Sequence, residues 1–189
     1  MKIIVGISGA SGVAMGLSLL RALRAQPDCE THLVMTRGAK IAWEAESSLP
    51  LYDLAQAADY SHDDEDIAAS IASGSFVTAG LVVLPCSMKT LSAVANGYAA
   101  GLLTRAADVC LKEGRKVVLC PREMPLGKIH LKNMLQAAEL GCVILPPMLT
   151  FYNNSNTLEE QVDHVLGKIL MHFGLAHSPF RPWQGGGRA

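Results

Sequence analysis

The sequence has few charged residues and no long apolar run. Aspartate, glutamate, lysine and arginine make up 17% of its 189 residues, against about 25% in an ordinary soluble domain. The formal net charge is −1, which leaves no positive field to attract nucleic acid or anionic lipid. No apolar segment reaches the roughly 18 residues of a membrane span, and Gly and Ser interrupt any signal-peptide core in residues 1–25. We therefore predict a cytoplasmic protein that binds neither nucleic acid nor membrane.

Cysteines and metal-binding patterns are also scarce. The five cysteines, at positions 29, 86, 110, 120 and 142, are odd in number and none are spaced C-x-x-C. This set predicts reduced, mostly buried thiols rather than a disulfide or zinc framework. The acidic run HDDED at 62–66 is expected to form the first turn of a helix, because adjacent carboxylates rarely converge on an ion without a shaped loop. No metal site is predicted.

Apolar residues are abundant, at 50% of the chain. Combined with the low charge, this predicts that other copies of the chain cover part of the surface, so we expect a homo-oligomer.

Short apolar runs alternate with segments of helical periodicity. Five runs are continuously apolar, as parallel strands covered on both faces are; they span residues 2–7, 31–36, 80–85, 116–121 and 142–146. Helices are predicted near residues 12–26, 37–47, 64–73, 89–97, 102–113, 130–140 and 157–174. This order predicts an α/β fold, a Rossmann-like doubly wound parallel sheet in a three-layer α/β/α arrangement. We expect a single domain over residues 1–174 and a C-terminal tail at 175–189.

The segment GISGASG at residues 6–12 places small residues where the first strand turns into a helix. Ligands bind beyond the carboxyl ends of strands in an open α/β sheet, and the N–H groups at a helix N-terminus favour phosphate. Glycine lets a ligand approach the backbone, and Ser8 and Ser11 supply hydroxyls. The segment lacks the Lys-Ser/Thr of a Walker A loop, and its G-x-x-G spacing is a poor dinucleotide fingerprint. An NADP site using Arg37 stays open, as does a turn whose small residues serve packing alone.

The segment PCSMKT at residues 85–90 follows a second apolar strand. It places Ser87, Lys89 and Thr90 at a helix start, beside the first loop. Together the two loops are suited to a phosphate and the polar edge of a flat ring. The alternative is a helix whose serine serves only as an N-cap.

The segment CPREMPLGKIH at residues 120–130 follows a third strand. Arg122 and Glu123 stand at its tip between two prolines, which stiffen the loop. Lys128 lies at the entry to the next helix, where a cation opposes the helix dipole. A bound anion would explain its position, and an exposed loop lysine is the alternative.

Three later residues have functional and structural interpretations. Glu139 lies in the last turn of its helix beside an apolar stripe. It is either a partly buried acid/base group or a tolerated surface residue. Tyr152 follows the last strand, and Lys168 lies off the apolar face of the last helix. Taken alone, each of these two is more often structural than functional.

Together these segments resemble the flavin prenyltransferase family, whose members are also called UbiX-like or phenylacrylic acid decarboxylase-like proteins. The resemblance covers nearly the whole chain, through VGISGASG, THLVMT, LPCSMKT, LLTRAADVCLKE, LCPREMPL, HLKNM, LPPMLTFY and RPWQG. It implies a flavoprotein-decarboxylase-like fold, FMN as cofactor and usually a dodecamer. It also implies transfer of a dimethylallyl group from dimethylallyl phosphate to N5 and C6 of reduced FMN, without a metal. The product would serve a separate decarboxylase of aromatic or α,β-unsaturated acids.

The resemblance implies which residues bind the two ligands. FMN would be contacted by Gly9, Ala10, Ser11, Thr36, Ser87, Met88, Lys89, Thr90 and Arg122. Tyr152 and Lys168 would hold dimethylallyl phosphate, with Lys128 near the same phosphate. Cations at the leaving group suit the ionisation of an allylic phosphate.

The resemblance further implies two acids and one aromatic residue. Glu139 corresponds to the acid/base carboxylate, which would protonate the departing phosphate. Glu46 corresponds to a second acid near N5, and Trp183 to an aromatic residue of the tail. The sequence departs from the family at Lys168, where arginine is frequent and the bidentate fork is lost. It departs again at FYNNSN, which replaces a more basic pattern.

Two other functions fit the same fold. One is an FMN-dependent decarboxylase of the peptidyl-cysteine type, although the first helix lacks a histidine to serve as base. The other is an FMN-binding accessory subunit that assists a decarboxylase by contact.

Overall fold

The computed structural model describes residues 1–185. The chain divides into two compact units, Met1–Pro146 and Pro147–Ala189, the second described as far as residue 185. The single domain predicted over residues 1–174 stays a prediction, and the last four residues of the predicted tail lie outside the described part. None of the helices formed by residues 1–185 is long and apolar enough to cross a membrane.

The first unit is built on a sheet of parallel strands. Its six strands are β1 Lys2–Ile7, β2 Glu30–Met35, β3 Tyr60–Asp63, β4 Gly80–Cys86, β5 Lys116–Pro121 and β6 Val143–Ile144. They lie in the order β3-β2-β1-β4-β5-β6, with Gly6 of β1 opposite Val83 of β4. The chain winds in one direction through β1, β2 and β3 and in the other through β4, β5 and β6. The carboxyl ends of β1 and β4 therefore form the switch point at which such sheets bind ligands.

Helices cover both faces of this sheet. They are α1 Ala14–Arg24, α2 Arg37–Glu46, α3 Leu51–Gln56, α4 Met88–Ala95, α5 Leu102–Lys112 and α6 Lys128–Glu139. Alternate strand side chains point to opposite faces. On one face Ile4 and Val83 share a buried cluster with Leu103 of α5. On the other face Ile7 lies against Gly16 of α1, where any side chain at position 16 would collide with it. The doubly wound α/β fold predicted from the sequence is confirmed.

The prediction of a helix at residues 64–73 is wrong. Strand β3 ends at Asp63, turns follow, and only the short 3-10 segment Ser70–Ala72 is helical. The Asp63 carboxylate accepts the Glu65 N–H at 3.1 Å, and the Asp66 carboxylate accepts the Ala68 N–H at 3.2 Å. These local bonds replace the helical ones, because aspartate side chains compete for nearby backbone groups.

The second unit contains the helix α7 Leu158–Met171. Thr157 Oγ1 accepts the Glu160 N–H at 3.1 Å, and Glu160 accepts the Thr157 N–H at 3.2 Å, which is a capping box. Its apolar side buries Val165, Leu166, Ile169 and Leu170.

Candidate functional site

Ser8 ties the carboxyl ends of β1 and β4 together. It is fully buried, and its hydroxyl donates to the Pro85 carbonyl oxygen at 3.1 Å and accepts the Ser87 N–H at 2.7 Å. This position lies at the switch point of the sheet, so Ser8 fixes the two loops that border it. The expectation that Ser8 offers its hydroxyl to a ligand is therefore wrong, since the fold itself uses that hydroxyl.

Gly9 stands where two loops touch through their backbones. A Cβ at Gly9 would lie 2.9 Å from the backbone of Gly38, and a Cβ at Gly38 would lie 3.2 Å from Gly9 Cα. Close packing therefore accounts for glycine at position 9. The contact brings the loop after β1 beside Thr36, the N-cap of α2, whose Oγ1 accepts the Ala39 N–H at 3.2 Å.

A carboxylate from the end of α2 reaches the turn before α1. Glu46 Oε2 accepts the Gly12 N–H at 2.8 Å. Burial acts to raise the pKa of Glu46, but hydrogen bonds from Gly12, Ser11 and Val13 outweigh it, and the Arg122 guanidinium acts in the same direction. The pKa of Glu46 is lowered as a result, so this side chain is ionised at neutral pH. It occupies part of the helix start that the sequence assigned to phosphate.

Helix α4 begins with two hydroxyl side chains. Ser87 Oγ accepts the Thr90 N–H at 3.3 Å and lies 3.2 Å from Thr90 Oγ1. Ser87 is therefore the N-cap. The N–H groups of Met88 and Lys89 stand in the first turn, where a helix offers no internal acceptors, and Lys89 is exposed. This helix start suits an anion.

A cavity of about 920 Å³ opens at these loop tips in the first unit. Its lining includes six residues from the loops after β1, β2, β4 and β5 and from the first turn of α4: Gly9, Thr36, Ser87, Lys89, Thr90 and Glu123. Asp64, Tyr98 and Gly101 line it from the loops after β3 and α4. Its volume lies in the range of small-molecule and cofactor sites.

The loop after β5 brings one positive and one negative side chain to this edge. The Arg122 N–H donates to the Cys86 carbonyl oxygen at 3.1 Å, which fixes the loop against the end of β4. Glu123 lines the cavity, and its Oε1 accepts the Met124 N–H at 2.9 Å. From the sequence, Glu123 was placed at the strand tip without a role. Its position two residues after a buried strand is the sequence feature that could have identified it as a site residue.

Lys128 and Glu139 stand at opposite ends of α6. The helix has 12 residues and is therefore about 18 Å long. Its N-terminus follows the carboxyl end of β5, whereas its C-terminus leads into the start of β6. Both side chains are exposed. Within one chain, the structure does not bring Glu139 to the cavity, because it lies at the edge where the strands begin.

Tyr152 and Lys168 belong to the second unit. The Tyr152 ring lies edge-on to the Trp183 ring, with centroids 5.3 Å apart, and edge-on to the His164 ring, with centroids 5.6 Å apart. Lys168 follows His164 by one turn of α7 and is exposed. Burial, and secondly Lys168, lower the pKa of His164. Tyr152, His164 and Trp183 thus form one aromatic cluster.

Comparison with known proteins identifies the family. The Flavoprotein family model matches residues 1–173. A probable UbiX-like flavin prenyltransferase from Sedimentibacter hydroxybenzoicus is 58% identical over 185 residues, covering 98% of both chains. The chain therefore belongs to the Flavoprotein family, among its UbiX-like members.

Two crystal structures of UbiX-like flavoproteins superpose closely on this chain. A dodecameric FMN-dependent UbiX-like decarboxylase from Escherichia coli O157:H7 is 54% identical with a TM-score of 0.95, covering 98% of this chain and 100% of that one. AnUbiX (PadA1), in complex with FMN and dimethylallyl pyrophosphate, is 42% identical with a TM-score of 0.94, covering 97% of both chains. The resemblance to UbiX-like proteins inferred from the sequence is confirmed.

Proposed function

We propose that this chain is a flavin prenyltransferase, which joins the dimethylallyl group of dimethylallyl phosphate to N5 and C6 of reduced FMN. The cavity at the switch point carries this proposal, because it is large enough for a flavin and is lined by hydroxyls, a lysine and three carboxylates. AnUbiX, with FMN and dimethylallyl pyrophosphate bound, supports the same pair of ligand classes. When bound, reduced FMN supplies the nucleophilic nitrogen and carbon.

The hydroxyl-rich start of α4 is suited to the FMN phosphate. Ser87 and Thr90 present hydroxyls there, the helix offers unpaired N–H groups, and Lys89 adds a positive charge. Thr36 lines the same cavity from the start of α2. The remaining residues assigned to FMN by resemblance are Gly9, Ala10, Ser11, Met88 and Arg122, and these assignments stay proposals.

Glu46, at the turn before α1, and Glu123, in the cavity lining, are the two carboxylates that we assign to the reaction. Glu46 is held ionised by its hydrogen bonds, so it can act only as a proton acceptor, and its lowered pKa makes it a weak one. Glu123 lines the cavity, so we assign to it the acid role that the resemblance gave to Glu139. Glu139 would have to reach the site from another copy of the chain.

We assign the leaving phosphate to two lysines and a tyrosine hydroxyl, without a metal. Lys128 lies at the N-terminus of α6, and Tyr152 and Lys168 come from the second unit. A lysine at 168 gives a point charge rather than a bidentate fork, so we expect a higher KM for dimethylallyl phosphate than an arginine would give.

The assembly proposed is a homo-oligomer, specifically a dodecamer like that of the Escherichia coli O157:H7 relative. Large apolar side chains on and before α6 are exposed in the single chain, with Met124 at 89%, Ile129 at 73% and Leu135 at 61%. Contact with other copies would cover them. The prenylated flavin would pass to a separate decarboxylase of aromatic or α,β-unsaturated acids.

One incubation tests the function. The protein is mixed anaerobically with reduced FMN and dimethylallyl phosphate, and the flavin is analysed by mass spectrometry. We expect a flavin heavier by one C5H8 unit. Flavin that stays bound without this gain would favour an accessory subunit. Release of carbon dioxide in a second incubation, with oxidised FMN and a peptide ending in cysteine, would favour a decarboxylase.

Two matched variants decide which carboxylate is the acid. Glu123→Gln is expected to slow prenyl transfer by about 100-fold with flavin still bound, and Glu139→Gln to leave the rate unchanged. The opposite pattern would return the role to Glu139, contributed by a neighbouring copy.

A further inference from the structure

His164 is buried with one ring nitrogen unpaired. The residue is 7% exposed, and its Nδ1 meets no hydrogen-bond partner among residues 1–185. Its ring packs on Phe180 with centroids 5.1 Å apart, and its Nε2 lies 3.5 Å from the Tyr152 hydroxyl oxygen. Within the described residues, Nε2 therefore has a hydrogen-bond partner and Nδ1 has none.

This asymmetry decides which nitrogen of the neutral ring carries the proton. A proton on Nδ1 would leave a buried N–H donor without an acceptor, which is rare in folded proteins. A proton on Nε2 can be donated to the Tyr152 oxygen, and only an acceptor nitrogen is then left unpaired. The second arrangement costs less.

We infer that His164 is a positioning residue, which donates from Nε2 to the Tyr152 hydroxyl oxygen and so leaves the Tyr152 proton free to bind a phosphate oxygen of dimethylallyl phosphate. This inference rests on the proposed function, in which Tyr152 and Lys168 hold that phosphate. Tyr152 then acts as a dedicated donor to the anion, because its own oxygen is already occupied by the imidazole.

The charged groups around His164 are consistent with a neutral ring. Burial, and secondly the positive charge of Lys168 one turn later, lower the pKa of His164. The nearest acidic side chain along α7, Asp163, is paired instead with His177 at 3.0 Å. Arg181 donates to the Asn153 carbonyl oxygen at 3.4 Å.

The first test is spectroscopic and independent of turnover. The ¹⁵N signals of His164 are recorded by solid-state NMR on the intact, histidine-labelled protein and assigned by their loss in His164→Gln. We expect a protonated Nε2 and an unprotonated Nδ1 at neutral pH. A protonated Nδ1 would overturn the inference even if the enzyme makes prenylated flavin. The expected tautomer in a protein that makes none would instead count against the proposed function.

The second test separates hydrogen bonding from packing. Glutamine places its amide nitrogen near the position of Nε2, whereas phenylalanine keeps only the ring. We expect His164→Phe to raise the KM for dimethylallyl phosphate by about tenfold with little change in kcat or bound FMN, and His164→Gln to restore most of the loss. His177→Phe, on the same unit, should leave the KM unchanged.

A double-mutant cycle completes the test. In a Tyr152→Phe background, His164→Phe should add nothing further to the KM, because the hydroxyl through which it acts is gone. An equal additional loss in that background, or no rescue by His164→Gln, would reduce His164 to a packing residue and refute its positioning role.

Discussion

Ser8 shows how one small side chain can hold a binding site without touching a ligand. Its hydroxyl joins the ends of β1 and β4 by bonds to Pro85 and Ser87. From its sequence neighbours, Ser8 is expected to offer a hydroxyl in a ligand-binding loop, because hydroxyls are common there. Its complete burial could not be read from the sequence, since Ser11, three residues later in the same loop, is exposed.

We expect Ser8→Ala to lower the free energy of unfolding by about 1–3 kcal/mol. The change leaves the Ser87 N–H without its acceptor in a buried place, so the start of α4 should loosen and FMN retention should fall with it. Urea unfolding and flavin absorbance measure the two effects. Ser18→Ala, which removes only a bond to the Ala14 carbonyl on α1, is the control. Equal stability of the two variants would show that Ser8 does not fasten the site.

Glu46 is held ionised at the start of α1 by hydrogen bonds to that turn, so in the reaction it could accept a proton but has none to donate. Glu46→Gln keeps an oxygen for the Gly12 N–H but cannot take a proton. We expect prenyl transfer to slow by about 100-fold, with the bound flavin spectrum unchanged. Glu44→Gln, an exposed change on the same helix, should have no effect. Full activity of Glu46→Gln would remove Glu46 from the reaction.

At the scale of the element, the sequence predicted the buried strands but not the exposed or very short elements. Strands β1, β2, β4 and β5 are almost fully buried because both of their faces are covered, and their prediction is confirmed within a residue, although β2 contains Glu30, Thr31 and His32. Strand β3 is polar and lies at the sheet edge, so its sequence contains no apolar run from which a strand could be predicted. Helix α3 has only six residues, too few to show a period.

The start of α5 depends on a residue from another element. Its N-cap, Gly101, has no side chain to offer, and Asp64 supplies the missing acceptors. The Asp64 carboxylate accepts the Leu103 N–H at 2.9 Å, and the backbone carbonyl oxygen of Asp64 accepts the Leu102 N–H at 2.7 Å. Because Asp64 and Gly101 both line the cavity, this cap also fixes the wall of the site.

Asp64→Ala is therefore expected to destabilise the protein by about 1 kcal/mol and to weaken FMN binding, whereas Asp64→Asn retains an acceptor and should recover most of both. Glu65→Ala removes a negative charge from the same cavity without removing the cap. If Glu65→Ala weakens FMN binding as much as Asp64→Ala, charge rather than capping is responsible. Flavin titration followed by fluorescence, together with urea unfolding, distinguishes the two.

At the scale of the whole molecule, the loops that form the site were predictable, but the position of each acid was not. Parallel strands bring their carboxyl ends to one edge, so the loops at Gly9, Ser87 and Arg122 could be placed together from the sequence. Glu139 was assigned by resemblance and lies at the far end of α6. Glu123 follows β5 directly, and only the three-dimensional cavity distinguishes the two.

Acid should destabilise the molecule in two stages. Burial, chiefly, lowers the pKa of His62 and of His164 in the folded chain. The unfolded chain, with histidine pKa values of about 6.5, binds more protons, so stability is lost as the pH falls below about 6.5. The pKa of Asp59 is also lowered, mainly by the Thr31 N–H, so a second loss follows as the pH falls below about 4.

Urea unfolding at fixed protein concentration measures both stages. We expect the unfolding midpoint to fall between about pH 7.5 and about pH 5.5 in the natural chain. The fall should be smaller in a His62→Gln, His164→Gln double variant, because glutamine binds no proton in either state. The later loss near pH 4 should persist in that variant, since Asp59 is untouched. A midpoint that stays constant down to pH 5.5 in the natural chain would mean that neither histidine is kept neutral by the fold.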